Sequence, residues 1–402
     1  MEGSKKELGI YVHIPFCVRK CNYCDFLSSN YCNEDIEQQK LVNDYIDALV
    51  KEITLYSKDL SNYKVQTIYI GGGTPSSIDS EYIRIILDSI YEKYDICDNP
   101  EITIEVNPGT LLNTKICDYK KMGINRVSMG LQSANNSELK ILGRIHTYEE
   151  FVYSYDALRN ADFDNINIDV MSAIPNQSLS SYIETLNKVV ELKPEHISSY
   201  SLIIEEGTYF YQRQNELNLV CEDEEREMYY KTKEILRASG YNRYEISNYS
   251  LKGKESKHNS SYWTGKEYIG FGLGASSYIG GCRFDRIRDI HKFIETYNKL
   301  NNEKGIEYNK IKECVKRKIE CNISRLSEKD MIEEYMFLGL RMTRGISIYR
   351  FKELFNKDIF DLYGEVIDKN MDRGLINHDK EFIFLTDLGI DVSNMVLSEF
   401  LI

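Results

Sequence analysis

The sequence predicts an α/β fold built on a parallel sheet that closes fully or partly into a barrel. Three observations predict it. Short runs rich in Ile, Val and Tyr alternate with longer helical patterns from residue 7 to about residue 205. The segments between successive runs are long enough to hold a crossover helix, which parallel strands need and hairpins do not. The turn after the first run holds Cys where a dinucleotide fold would place Gly-x-Gly-x-x-Gly, and this favours a barrel over a doubly wound sheet.

The six expected strands are 7–14, 65–71, 101–107, 126–132, 165–171 and 196–203, each bounded by Gly, Pro, Asn or Ser. Helical patterns fill 35–57, 80–94, 148–160 and 180–192. Past residue 205 the alternation breaks. A charged helix over 221–239 precedes a β-like run at 241–249 and a Gly-rich stretch at 270–281. Residues 285–330 read as a charged linker helix, and the last 70 residues as three helices, a short hairpin with a strand at 382–385, and a final helix. The expected division is therefore a barrel domain with its extension over 1–285 and a small, mostly helical, winged-helix-like domain over 286–402.

With 42% hydrophobic and 28% charged residues the composition is that of an ordinary globular chain. No run approaches 18 apolar residues, so the chain is not expected to be an integral membrane protein. The first eight residues lack an apolar signal core, and a cytoplasmic location is expected. A net charge of −13 argues against a nucleic-acid partner. Of 10 Cys, seven are scattered and are expected to be reduced thiols.

The other three form Cys17-x3-Cys21-x2-Cys24, directly after the first strand. Thiolate is the preferred ligand of iron–sulfur clusters. A structural zinc ion would want four protein ligands, and this loop holds no fourth Cys or His; a disulfide would strand one thiol. Three ligands to a [4Fe–4S] cluster leave one iron open to chelate a small molecule. A Gly71-Gly72-Gly73-Thr74-Pro75 turn follows the second strand, where glycines let backbone come close to a ligand and amides can bind its polar end. Glu105, Asn107, Gln132, Asp169 and the run from Ser198 to Ser201 lie in or at the ends of strands three to six, and in a barrel such positions converge on one mouth. His13, four residues before Cys17, reads equally as a group that tunes the cluster or as a buried structural His.

The Cys spacing, with Tyr23 inside it, resembles the radical S-adenosylmethionine (SAM) superfamily. The resemblance implies a partial (β/α)6-type radical SAM barrel, with the open iron holding the amino and carboxylate groups of SAM. Reduction by an electron donor can then cleave the sulfonium to a 5′-deoxyadenosyl radical. Tyr11-Val-His13-Ile-Pro15-Phe-Cys17, the Gly-Gly-Gly-Thr-Pro turn, Ile104-Glu105-Val106-Asn107-Pro108, Gly130-Leu131-Gln132 and the segment from Phe337 to Thr343 narrow it further. Together they resemble the oxygen-independent coproporphyrinogen III oxidases and their relatives, the heme chaperones called HemW. The resemblance implies SAM contacts at Tyr11, Tyr23, Gly73, Thr74, Glu105, Gln132, Arg144 and Asp169. A guanidinium at Arg144 suits a carboxylate.

Two features separate the branches. The oxidases carry a further Cys two positions after the third ligand, where this chain has Phe26, and a longer segment before the cluster than the 16 residues here. In addition, His258-Asn259-Ser260-Ser261-Tyr262-Trp263 matches the His-Asn-x-x-Tyr-Trp motif that the chaperones associate with heme. An imidazole can ligate heme iron, and Tyr and Trp can pack on a porphyrin; a lone His in a loop is otherwise more often structural. The resemblance thus implies a chaperone that binds heme through His258, Tyr262 and Trp263 and passes it to an acceptor protein, membrane-associated acceptors included. The rival is decarboxylation of coproporphyrinogen III to protoporphyrinogen IX, and a third reading is another radical enzyme on an unrelated substrate.

Overall fold

The computed structural model describes residues 5–299 and 308–401. Its main sheet is built on β1 (Lys6–Ile14), β2 (Tyr63–Gly72), β3 (Ile96–Val106), β4 (Arg126–Gln132), β5 (Ile166–Ser172) and β6 (His196–Ser201). These pair in sequence order and all in parallel. The expected strands agree to within a few residues, the largest difference being the start of β3. β1 pairs on its other side, also in parallel, with β7 (Tyr268–Phe271). Beyond β6 the sheet ends in two short antiparallel strands, Asn248–Ser250 and Asn242–Arg243, so the β-like run 241–249 is a bent pair. The barrel is open: among the described residues the two ends of the sheet do not pair, and the helix Lys257–Trp263 packs against β2 from within.

Alternation along the strands decides what each face does. Ile10, Val12, Ile68, Ile70, Ile102, Ile104, Val127, Met129, Ile166 and Ile168 are buried on the outer face. They share one apolar core with Ile46, Leu49, Ile86, Leu158 and Leu186 of the surrounding helices. Those helices begin at side-chain caps, Asp35, Asp79, Thr147 and Ser178, which take up otherwise unpaired N–H groups. The inner face is polar. Asn167 donates to Ser128 (2.8 Å) and Asp169 (2.7 Å) and accepts from His196 (2.6 Å) and Ser198 (3.1 Å). Such an interior is costly unless its groups are paired, and it supplies polar atoms at the mouth.

The region expected as a linker helix is different. β8 (Ser276–Ile279) and β9 (Cys282–Arg286) extend the sheet antiparallel, the helix Ile290–Lys299 follows, and the helix Tyr308–Ile319 leads into an edge strand, β10 (Glu320–Arg325). Charge misleads here because it is spent inside: Arg286 is fully buried and pairs with Glu52 (2.8 Å) and Glu320 (3.2 Å). The expected division after residue 285 falls inside β9. A second apolar core gathers Ile332, Met336, Phe351, Ile367, Ile383 and Phe400. It joins the helices Glu328–Gly339, Ile348–Phe355 and Ile359–Asp372 to a three-stranded sheet of Ile346–Ser347, Phe382–Leu385 and Ile376–His378, the winged-helix-like arrangement expected. Among the described residues no helix is long and apolar enough to cross a membrane.

Candidate functional site

Two cavities meet at the mouth where β1 to β5 end. The smaller, about 140 Å³, is lined by Cys17, Cys21, Cys24 and Tyr23, by Gly73 and Thr74, and by Glu105, Gln132, Arg144 and Asp169. The larger, about 530 Å³, is lined by Tyr11, His13, Tyr262, Trp263, Tyr268 and Leu338 among others. Phe26, Gly72 and Glu105 belong to both walls. The structure thus gathers ten of the eleven expected cluster and SAM residues in one cavity. Tyr11 stands apart in the larger one, where its hydroxyl meets His13 Nδ1 at 3.0 Å while His13 Nε2 donates to the Leu27 carbonyl (2.8 Å).

The cluster loop is pinned by the glycine turn. Gly73 N donates to the Ile14 carbonyl (2.9 Å) and Thr74 N to that of Phe16 (2.8 Å). A Cβ on Gly73 would lie 2.8 Å from the Phe16 carbonyl oxygen and 3.0 Å from Cys17 Sγ, so only glycine fits there. Gly72, at φ +114°, passes over the His13 ring. The expectation that this turn offers free amides to a ligand is corrected: Gly72 N donates to Glu105 (3.0 Å), and the amides of Gly73 and Thr74 are spent on the chain itself.

Among the described residues no three His, Cys, Asp or Glu side chains close on a single ion. Cys17 Sγ contacts Thr74 Oγ1 at 3.3 Å, and Arg144 reaches Cys21 Sγ at 3.5 Å. Burial pushes the Cys24 thiol up to about 11, so ligation releases a proton there.

The rest of the cavity presents opposite charges to a ligand. Glu105 accepts from Tyr69 (2.8 Å) and Gly72; burial, aided by the charge of Asp169, lifts its pKa to about 7. Burial also raises Asp169, opposed by its Asn167 donor. Two carboxyls so placed favour a ligand that brings positive charge. Arg144, held by the Gly130 carbonyl (2.7 Å), faces the same space. Gln132 follows a bulge at the end of β4 with φ +72°, an uncommon left-handed setting for a side chain that lines a site. Two carboxyls and a guanidinium on one wall fit a zwitterion that carries a further cation, as SAM does.

His258, expected as a heme contact, lies beneath the cavity wall. It is only 1% exposed, lines neither cavity, and has both ring nitrogens engaged at 2.8 Å, Nδ1 with Thr67 Oγ1 and Nε2 with the Tyr262 hydroxyl. Its ring stacks on Tyr69 at 5.1 Å, and its amide donates to Glu101 (2.9 Å). Both ring nitrogens are thus engaged inside the barrel. The motif instead braces its helix so that Tyr262 and Trp263 face the larger space. Asn107 lines the smaller cavity, as its place at a strand end predicts, whereas sequence reasoning missed Ser128 and Gly130 there. It also missed Arg283, on β9, and Arg288, in the bend after it, as lining residues of the larger cavity.

Comparison with known proteins gives two domain matches and a set of full-length relatives. The Radical SAM superfamily model matches residues 11–189, and the HemN C-terminal domain model matches residues 326–392. A protein of Lactococcus lactis named heme chaperone HemW is 37% identical over 400 residues, covering 99% of this chain and 98% of its own length. The Bacillus subtilis protein of that name is 35% identical over 394 residues, covering 97% and 98%. Among solved structures, coproporphyrinogen III oxidase (HemN) from Escherichia coli, described as a radical SAM enzyme, matches with a TM-score of 0.82 and 20% identity over 99% of this chain and 91% of that one. That likeness bears on the fold alone.

Proposed function

Because this chain belongs to the HemW family of radical SAM proteins, we propose that it is a heme chaperone. On this reading it holds a [4Fe–4S] cluster and SAM in the smaller cavity, binds heme in the larger one, and passes the heme to an acceptor protein in the cytoplasm. The observation that carries it is the aromatic cavity walled by Tyr262 and Trp263, which shares Phe26, Gly72 and Glu105 with the cluster cavity.

Cys17, Cys21 and Cys24 are the cluster ligands in this proposal. When bound, the cluster supplies an open iron and transfers one electron at a time, provided by a separate donor. Tyr23, Gly73, Thr74, Glu105, Gln132, Arg144 and Asp169 orient SAM, and Gln132 and Arg144 close the side toward β4. Tyr11 acts at one remove, holding His13 against the glycine turn. His258 sets the pose of Tyr262, and Trp263 packs under the Arg341 guanidinium, 4.4 Å from the ring centre, which ties the cavity wall to the C-terminal domain. Phe26, 62% exposed at the junction, puts an inert ring where the oxidase pattern has a thiol.

The rival, oxidative decarboxylation, is tested on the same protein. Reduced, cluster-loaded protein incubated anaerobically with SAM and coproporphyrinogen III is expected to form no protoporphyrinogen IX, while binding heme stoichiometrically. Catalytic accumulation of protoporphyrinogen IX would overturn the chaperone reading.

A further inference from the structure

We propose that Arg288 is the carboxylate anchor of the larger cavity and binds a propionate of heme; the proposal rests on the heme reading above. Heme is an apolar disc with both carboxylates on one edge, so its site needs an apolar wall and a cation on one side only. The cavity has that polarity. Tyr262, Trp263 and Leu338 give it aromatic and aliphatic surface, and its two cations, Arg283 and Arg288, both come from the segment that follows β8. A volume of about 530 Å³ lies in the range of cofactor sites.

The two arginines are not equivalent. Arg283 is already committed: its guanidinium grips Glu334 of the helix Glu328–Gly339 through two hydrogen bonds of 2.8 and 2.7 Å and also donates to the Tyr268 hydroxyl (3.2 Å). Arg288 lies in the bend between β9 and the helix Ile290–Lys299 and makes no hydrogen bond or ion pair among the described residues. Its charge nonetheless reaches the His13 side of the cavity, where it adds to burial in holding the imidazole neutral. Asp25 and Glu105 are the acidic groups on the same wall, and of the two cations only Arg288 is left without an acidic partner among the described residues. An exposed, unpaired guanidinium over an aromatic cavity is the arrangement that recognises a carboxylate at the rim of an apolar ligand.

The test is an absorbance titration of the cluster-loaded full chain with heme and, in parallel, with heme dimethyl ester, whose carboxylates are capped. Arg288→Glu is expected to weaken heme binding about tenfold or more, and Arg288→Lys to restore most of the affinity. Binding of the ester is expected to be alike in all three proteins, which separates a lost anchor from a damaged cavity. Heme binding by Arg288→Glu equal to that of the natural chain, or an equal loss for the ester, would overturn the assignment while leaving the heme reading intact. Failure of the natural chain to bind heme at all would overturn both.

Discussion

Cys17→Ser is expected to leave a folded chain that retains almost none of the iron of a four-iron cluster after anaerobic reconstitution. Cys17 is buried beside Thr74 at the end of a strand pinned by the amides of Gly73 and Thr74, so its sulfur cannot be replaced by a neighbour that swings in. A serine hydroxyl is a poor ligand for iron where thiolate is preferred, and two remaining thiolates do not hold a cube whose fourth iron is already open. Cys32→Ser is the control, because Cys32 is exposed and lines neither cavity. Iron and acid-labile sulfide per chain, read with the broad visible absorbance of the cluster, should collapse in the first variant and stay unchanged in the second. Equal loading of both would remove Cys17 from the ligand set.

His258→Ala is expected to cost roughly 3 kcal/mol of stability, read as a lower denaturation midpoint. The substitution removes a ring stacked on Tyr69 and strips the Thr67 and Tyr262 hydroxyls of their partner inside the barrel. Buried groups left unpaired carry most of that cost. The spectrum of bound heme should keep its shape at saturation, since the imidazole does not face the cavity. Loss of the axial-ligand bands without loss of stability would return His258 to the iron.

The strands and helices of the barrel were legible because their signals are local: alternation, Gly and Asn at the ends, and capping residues just before each helix. The Cys and glycine loops were legible for the same reason, each being a short motif at a strand end. What the sequence could not show is depth. His258 and Tyr262 share one motif, yet a single turn of helix puts one ring under the floor and the other in the cavity wall. Tyr11 stands two residues before His13 on β1, and only the neighbouring strands decide that both face the larger cavity. Residues 320–325 read as helix because they sit inside the strongly charged stretch 285–330, whereas pairing with β9 and the buried Arg286 make them a strand. The expected amides of the glycine turn failed for a related reason, since only the folded chain shows that Ile14 and Phe16 already use them.

Trp263, the only tryptophan of the chain, allows the most direct test of heme in the larger cavity. With selective excitation of tryptophan, its emission is followed while heme is added to the protein. The account predicts that emission falls almost completely and saturates at one heme per chain, because ring and porphyrin share a cavity wall. Saturable heme binding that leaves much of the Trp263 emission intact would contradict it, by placing the heme elsewhere on the molecule.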